Sequence, residues 1–128
     1  MIRPVAAVLA AVACSAAVPE AAVAAYRAFR SPTGKVGCAF YSDAETAPGV
    51  RCDWLGGGDR AVTVAETGRA RRIRVTDTVL DRHAKVIAYG TTTRFHDLRC
   101  TSRRSGITCR SVHSGHGFRV SVQKQEVF

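Results

Sequence analysis

From residue 26 onward, apolar side chains recur at alternate positions in short runs, and no stretch sustains the 3.6-residue period of an amphipathic helix. β-branched and aromatic residues fill these runs, and Gly, Pro, Asp and Ser punctuate them. That pattern predicts strands over residues 36–41, 50–54, 61–65, 72–76, 85–89, 93–101, 107–112 and 118–122. In the second run Val50, Cys52 and Trp54 share one face and Arg51 and Asp53 the other, which assigns Trp54 to the core. In the run 72–76, Arg72, Arg74 and Thr76 alternate with Ile73 and Val75, as on a half-buried edge strand whose charges discourage pairing with other chains. The three glycines of "LGGGDR", residues 55–60, end a strand and begin a loop. The expectation is an all-β domain, a small antiparallel β-sandwich or barrel of about eight short strands.

The first 25 residues do not fit that pattern. "MIRPVAAVLAAVACSAAVPEAAVAAY" has one cation, Arg3, then an Ala/Val-rich run, then small residues ending in Val23-Ala24-Ala25, the layout of a secretory signal peptide cleaved before Tyr26. Pro19 and Glu20 interrupt the run and leave it too short to cross about 30 Å of hydrocarbon. A lipoprotein signal with Cys14 as the lipidated residue is the lesser alternative, because Ala11 stands where such a signal wants leucine. The domain plan is a signal peptide over 1–25 and one domain over 26–128, outside the cytoplasm.

Without residues 1–25 the chain has 103 residues and four cysteines, Cys38, Cys52, Cys100 and Cys109. A domain this small buries only about two thirds of its surface, and an even set of cysteines in an exported chain reads as disulfides. The cysteine spacings contain no C-x-x-C pair, so no metal site is expected. If Arg103-Arg104-Ser105-Gly106 forms a tight turn, the register outward from it pairs 103 with 106, 102 with 107, 101 with 108, and Cys100 with Cys109 at a non-hydrogen-bonded position, where side chains approach most closely. A bulge at Gly106 would shift that register by one. Cys38 and Cys52 then pair by elimination.

Charge adds a second theme. The chain carries 19 Lys and Arg against 10 Asp and Glu, a net charge of +9 that survives cleavage because Arg3 and Glu20 leave together. Such a balance favours anionic polymers or envelope components as partners. An arginine excess also follows from a GC-rich coding sequence, so the candidates are the local clusters: Arg72 and Arg74 with Arg69 and Arg71, and Arg103 and Arg104 with Arg99 and Arg110.

The segments "SPTGKVGC" (31–38), "VRCD" (50–53), "DTV" (77–79), "AYG" (88–90), "CTS" with "GITCRS" (100–102, 106–111) and "GHGFRVS" (115–121) together resemble a family of small secreted actinobacterial proteins of unknown function. The resemblance implies export and a stapled domain, and no reaction. Members of that family often carry two further cysteines between the positions of Asp59 and Thr76. Their joint absence here is what the loss of one bond would leave, which indirectly supports Cys38–Cys52 and Cys100–Cys109.

His113 and His116 flank Ser114-Gly115, and His83 and His96 lie elsewhere. A glycine-rich connection holds ligands or acid–base groups poorly, so His116 is expected to hydrogen-bond locally while Phe118 enters the core. Two alternatives stand beside a non-catalytic binding or envelope-associated role. One is a secreted basic nuclease using His116, His96 or His83 with Glu66. The other is a secreted inhibitor presenting the stapled loop 103–106. No cofactor is expected, and the chain is expected to be a monomer.

Overall fold

The computed structural model describes residues 2–13 and 24–128. Cys14, Pro19, Glu20 and Val23 lie outside the described residues. Among the described residues, eleven strands form two sheets: β1 (Ala25–Arg30), β2 (Val36–Ser42), β3 (Gly49–Trp54), β4 (Arg60–Ala65), β5 (Arg71–Arg74) and β6 (Lys85–Val86) in order β5-β4-β3-β2-β1-β6, and β7 (Thr92–Phe95), β8 (Leu98–Arg103), β9 (Gly106–Ser111), β10 (Gly117–Val120) and β11 (Gln125–Val127) in order β11-β10-β9-β8-β7. Every pairing is antiparallel except β1 with β6. The described residues contain no helix.

The two sheets press one face each onto a shared core, with Phe29, Phe40, Val50 and Trp54 meeting Leu98, Ile107, Phe118 and Val120. The architecture is therefore the sandwich rather than the barrel. The expectation of about eight strands falls short for local reasons. His96, at φ 50°, and Asp97 turn the run 93–101 back on itself, so it makes two strands. β1 follows directly on the apolar leader and β11 is three residues long, so neither stands out as a run. The fourth expected strand stops at Arg74 instead of Thr76, and the fifth is only Lys85–Val86.

The cysteine register is as read from the turn: Arg103 pairs with Gly106, Ser102 with Ile107, Thr101 with Thr108 and Cys100 with Cys109. No bulge intervenes. Cys38 faces Cys52 in the same way across β2 and β3. Both disulfides form, each with Cα atoms 4.1 Å apart, the close spacing of a non-hydrogen-bonded antiparallel pair.

Sheet order explains the one parallel pairing. β5 and β6 occupy opposite edges of their sheet, so the chain between them crosses the sheet's outer face as a strap. Arg51 and Asp53 point to that face because Cys52 points to the core. Arg51 Nε and Nη2 each donate to an oxygen of Asp53 at 2.9 Å, Arg51 Nη1 donates to Asp77 Oδ1 at 2.8 Å, and the Val79 N–H donates to Asp53 Oδ2 at 3.1 Å. Gly37 lets the strap come close, since a Cβ there would lie 3.0 Å from Leu80 Cα. The "VGC", "RCD" and "DTV" segments are thus the two disulfide half-sites and the clamp on the strap.

Candidate anion-binding surface

β3 ends at Trp54, and the loop after it folds back over the indole. Gly56 and Gly58 take φ of 82° and 63°, a backbone region that favours glycine. A Cβ on Gly57 would sit 2.9 Å from Trp54 Cε2, so glycine also lets this loop lie against the ring. Arg60 then opens β4, donates from Nε to the Gly57 carbonyl at 3.1 Å and places its guanidinium 5.6 Å from the Trp54 ring centroid, within cation–π range. Arg60 is the register partner of Arg74 on edge strand β5. Arg74 Nη1 donates to Asp59 Oδ2 at 2.6 Å, and Arg72 Nη2 donates to the Gln125 carbonyl at 2.7 Å. The result is a cavity of about 290 Å³ lined by Trp54, Arg60, Arg72, Arg74 and Gln125, and by Ala61 and Ile73, whose side chains alternate to the strap face of the sheet.

Val36 is the register partner of Trp54, and it lines a second, smaller depression of about 160 Å³ that also holds Lys35, Tyr89, Arg103 and Arg104. The Arg104 guanidinium lies 5.0 Å from the Tyr89 ring centroid. Between the two depressions runs the β10–β11 turn: Ser121 and Gln123 line one and Gln125 the other, and the turn is closed by Ser121 N–H to the Lys124 carbonyl at 2.8 Å. Arg72, Arg74, Arg103 and Arg104, far apart in sequence, therefore reach the same end of the sandwich. The structure adds Arg60 and Lys35 to them.

The rest of each arginine cluster goes elsewhere. Arg99 and Arg110 face each other at the far end of the β8–β9 hairpin, and Arg71 sits at the far end of β5, opposite Thr63. Arg60 escaped the sequence reading because it stands alone behind a glycine run. Its one signal was position: the β4–β5 register sets it against Arg74. Trp54 is core, at 6% exposure, and also floors the cavity.

Glu66, His96 and His116 gather at the opposite end of the molecule. Ser111 links two of them, donating from Oγ to the Glu66 carbonyl at 2.6 Å and from N–H to the His116 carbonyl at 2.9 Å. Glu66 and His96 line a surface groove of about 560 Å³ beneath the β2–β3 loop. Glu66 Oε1 accepts from the Asp97 N–H, the His96 ring packs edge-on against Phe95 at 4.6 Å, and among the described residues no histidine ring donates to or accepts from a protein group. His116 bonds locally through its backbone, to Ser114 and Ser111, and Phe118 is fully buried. His83 stands apart, exposed on the strap beside β6, and His113 is exposed. In the loop considered for an inhibitor, Arg103, Arg104 and Ser105 are exposed, Gly106 at its base is buried against Val120 and the Arg104 guanidinium lies over Tyr89.

The sulfurs of Cys38, Cys52 and Cys109 lie within 4.8 Å of one another, but all belong to disulfides.

Residues 51–128 match the Family of unknown function (DUF6636), and the chain belongs to that family. The matched region holds Arg51, Asp53 and Asp77 of the strap clamp, the arginines of the basic end and the Cys100–Cys109 hairpin, and it starts after Lys35 and Cys38. No curated protein and no solved structure matches the chain.

Proposed function

We propose that the protein is an exported, monomeric, non-catalytic binding module whose basic end takes an anionic envelope polymer. One observation carries this reading: two arginine pairs from different sheets, Arg72 with Arg74 and Arg103 with Arg104, flank a single turn at one end of the sandwich. Fields from cations so placed add, and the arginines are the residues best shaped for phosphate and carboxylate. Export is supported by the signal-like leader and by two disulfides, which are compatible with an oxidising compartment outside the cytoplasm. Strand β1 begins at Ala25, so cleavage before Tyr26 would leave it nearly whole.

The test is salt elution from a phosphate-polymer column for the wild type and three double variants of equal charge change: Arg72→Ala with Arg74→Ala, Arg103→Ala with Arg104→Ala, and Arg99→Ala with Arg110→Ala. The wild type is expected to bind at about 0.15 M salt, where charges farther apart than about 8 Å are screened. The first two variants should elute at lower salt than the third. Equal shifts in all three would reduce the basic end to net charge, and no retention at about 0.15 M would end the polyanion reading.

A further inference from the structure

The two depressions at the basic end differ in size and lining. The one beside Arg103 and Arg104 holds about 160 Å³ and includes Lys35. The one over Trp54 holds about 290 Å³ and sets the indole within a rim of three arginines, which suits the end of a ligand rather than its middle. Its charge count is specific. Arg60, Arg72 and Arg74 contribute three positive charges, and Asp59, bonded to Arg74, removes one, leaving +2. A phosphodiester inside a polymer carries one negative charge, whereas a terminal phosphomonoester carries up to two, with a second pKa near 6.

Each of the three guanidinium groups also has a protein acceptor: the Gly57 carbonyl for Arg60, the Gln125 carbonyl for Arg72 and Asp59 for Arg74. Only one acceptor is anionic, so Arg60 and Arg72 keep their full charge and further N–H donors for a ligand. Holding the side chains in advance lowers the ordering cost of binding. The Trp54 indole offers apolar surface to whatever ring bears the phosphate. We infer that this cavity takes a terminal phosphomonoester on a sugar or other ring, in preference to an internal phosphodiester. The inference rests on the reading of the basic end as an anion-binding surface, and it identifies the group that enters the pocket.

Trp54 is the only tryptophan in the chain, so its fluorescence and its indole N–H resonance report on this cavity directly. The experiment titrates the full mature protein with phenyl phosphate and with methyl phenyl phosphate, the monoester and diester of one ring. Phenyl phosphate should bind about tenfold or more tightly near pH 7.5, because one extra charge meets the uncompensated guanidinium groups. That advantage should collapse at about pH 5, where the monoester keeps a single charge. Arg72→Ala should weaken phenyl phosphate about tenfold or more through loss of a forked donor. The Arg99→Ala, Arg110→Ala variant, which removes two charges at the far end of the β8–β9 hairpin, should leave the titration unchanged. Equal affinity for the two esters, or a Trp54 response indifferent to Arg72, overturns the inference. If the phosphate-polymer column still retains the wild type in that case, only the pocket assignment falls; if the column fails too, the anion-binding reading falls with it.

Discussion

Cys52 and Cys109 belong to different disulfides and different sheets, yet their sulfurs lie within 4.8 Å of each other at the centre of the sandwich. Each bond ties a hairpin within its own sheet, and the contact between the two bonds is where the sheets meet. All four cysteines are at most 1% exposed. The staples are therefore also core packing, in a domain with little core to spare.

Non-reducing peptide mapping should recover Cys38 joined to Cys52 and Cys100 joined to Cys109. Replacing Cys100 and Cys109 together by alanine should lower stability by about 2–5 kcal/mol in denaturant unfolding. A native link between Cys109 and either cysteine of the other sheet would contradict the register of both hairpins.

The strap clamp gives an asymmetric mutational signature. The Asp53 side chain is 6% exposed and that of Asp77 is 75% exposed, although both bind Arg51. Asp53→Ala removes the bidentate partner of the half-buried Arg51, which keeps Asp77, and leaves the Val79 N–H without its acceptor, so it should cost about 1–3 kcal/mol. Asp77→Asn, at the solvent end, should cost little. Chemical denaturation of the two variants side by side checks the order.

Acid should loosen the same clamp. The Arg51 guanidinium donates to Asp77 and holds its carboxyl below the usual carboxylate range, while hydrogen bonds and charge from Lys124 and Arg119 lower Glu126. Carboxylates with depressed folded values contribute stability above their ordinary pKa, near 4, and lose it as the pH falls through the lower folded value. Stability should be level above about pH 5 and decline below about pH 4. In urea melts across that window, Asp77→Asn should show a shallower decline than the wild type.

Gly106 combines two constraints that Gly68 does not. Both have positive φ, 129° and 85°, but a Cβ on Gly106 would run into the Val120 carbonyl, whereas a Cβ on Gly68 would meet open space. Gly68→Ala should cost about 1–2 kcal/mol for the left-handed backbone alone. Gly106→Ala should cost clearly more, and a thermal melt that ranks the two equally would show that β10 can yield.

Processing can be read directly from mass. Protein recovered from culture medium should begin at or near Tyr26, and a membrane-retained form carrying lipid on Cys14 would replace that assignment.

What could be read in the chain by itself was whatever is local in register. Cys100 and Cys109 stand equidistant from a two-residue turn, so counting outward pairs them without knowledge of any other strand. Alternation assigned Trp54 to the core and Arg51 and Asp53 to the other face for the same reason. The sheet order had no such signal: that β5 and β6 would occupy opposite edges, that the chain between them would cross Asp53, and that Asp77 would close on Arg51 across 26 residues all depend on which strands become neighbours. The basic end is likewise a product of topology. Arg60 meets Arg74 through the β4–β5 register, Val36 beside Trp54 joins the two depressions, and the β10–β11 turn brings Gln125 to Arg72 across 53 residues. Period-two patterning sorts side chains between faces, but only the packing of two sheets decides which charges share an end.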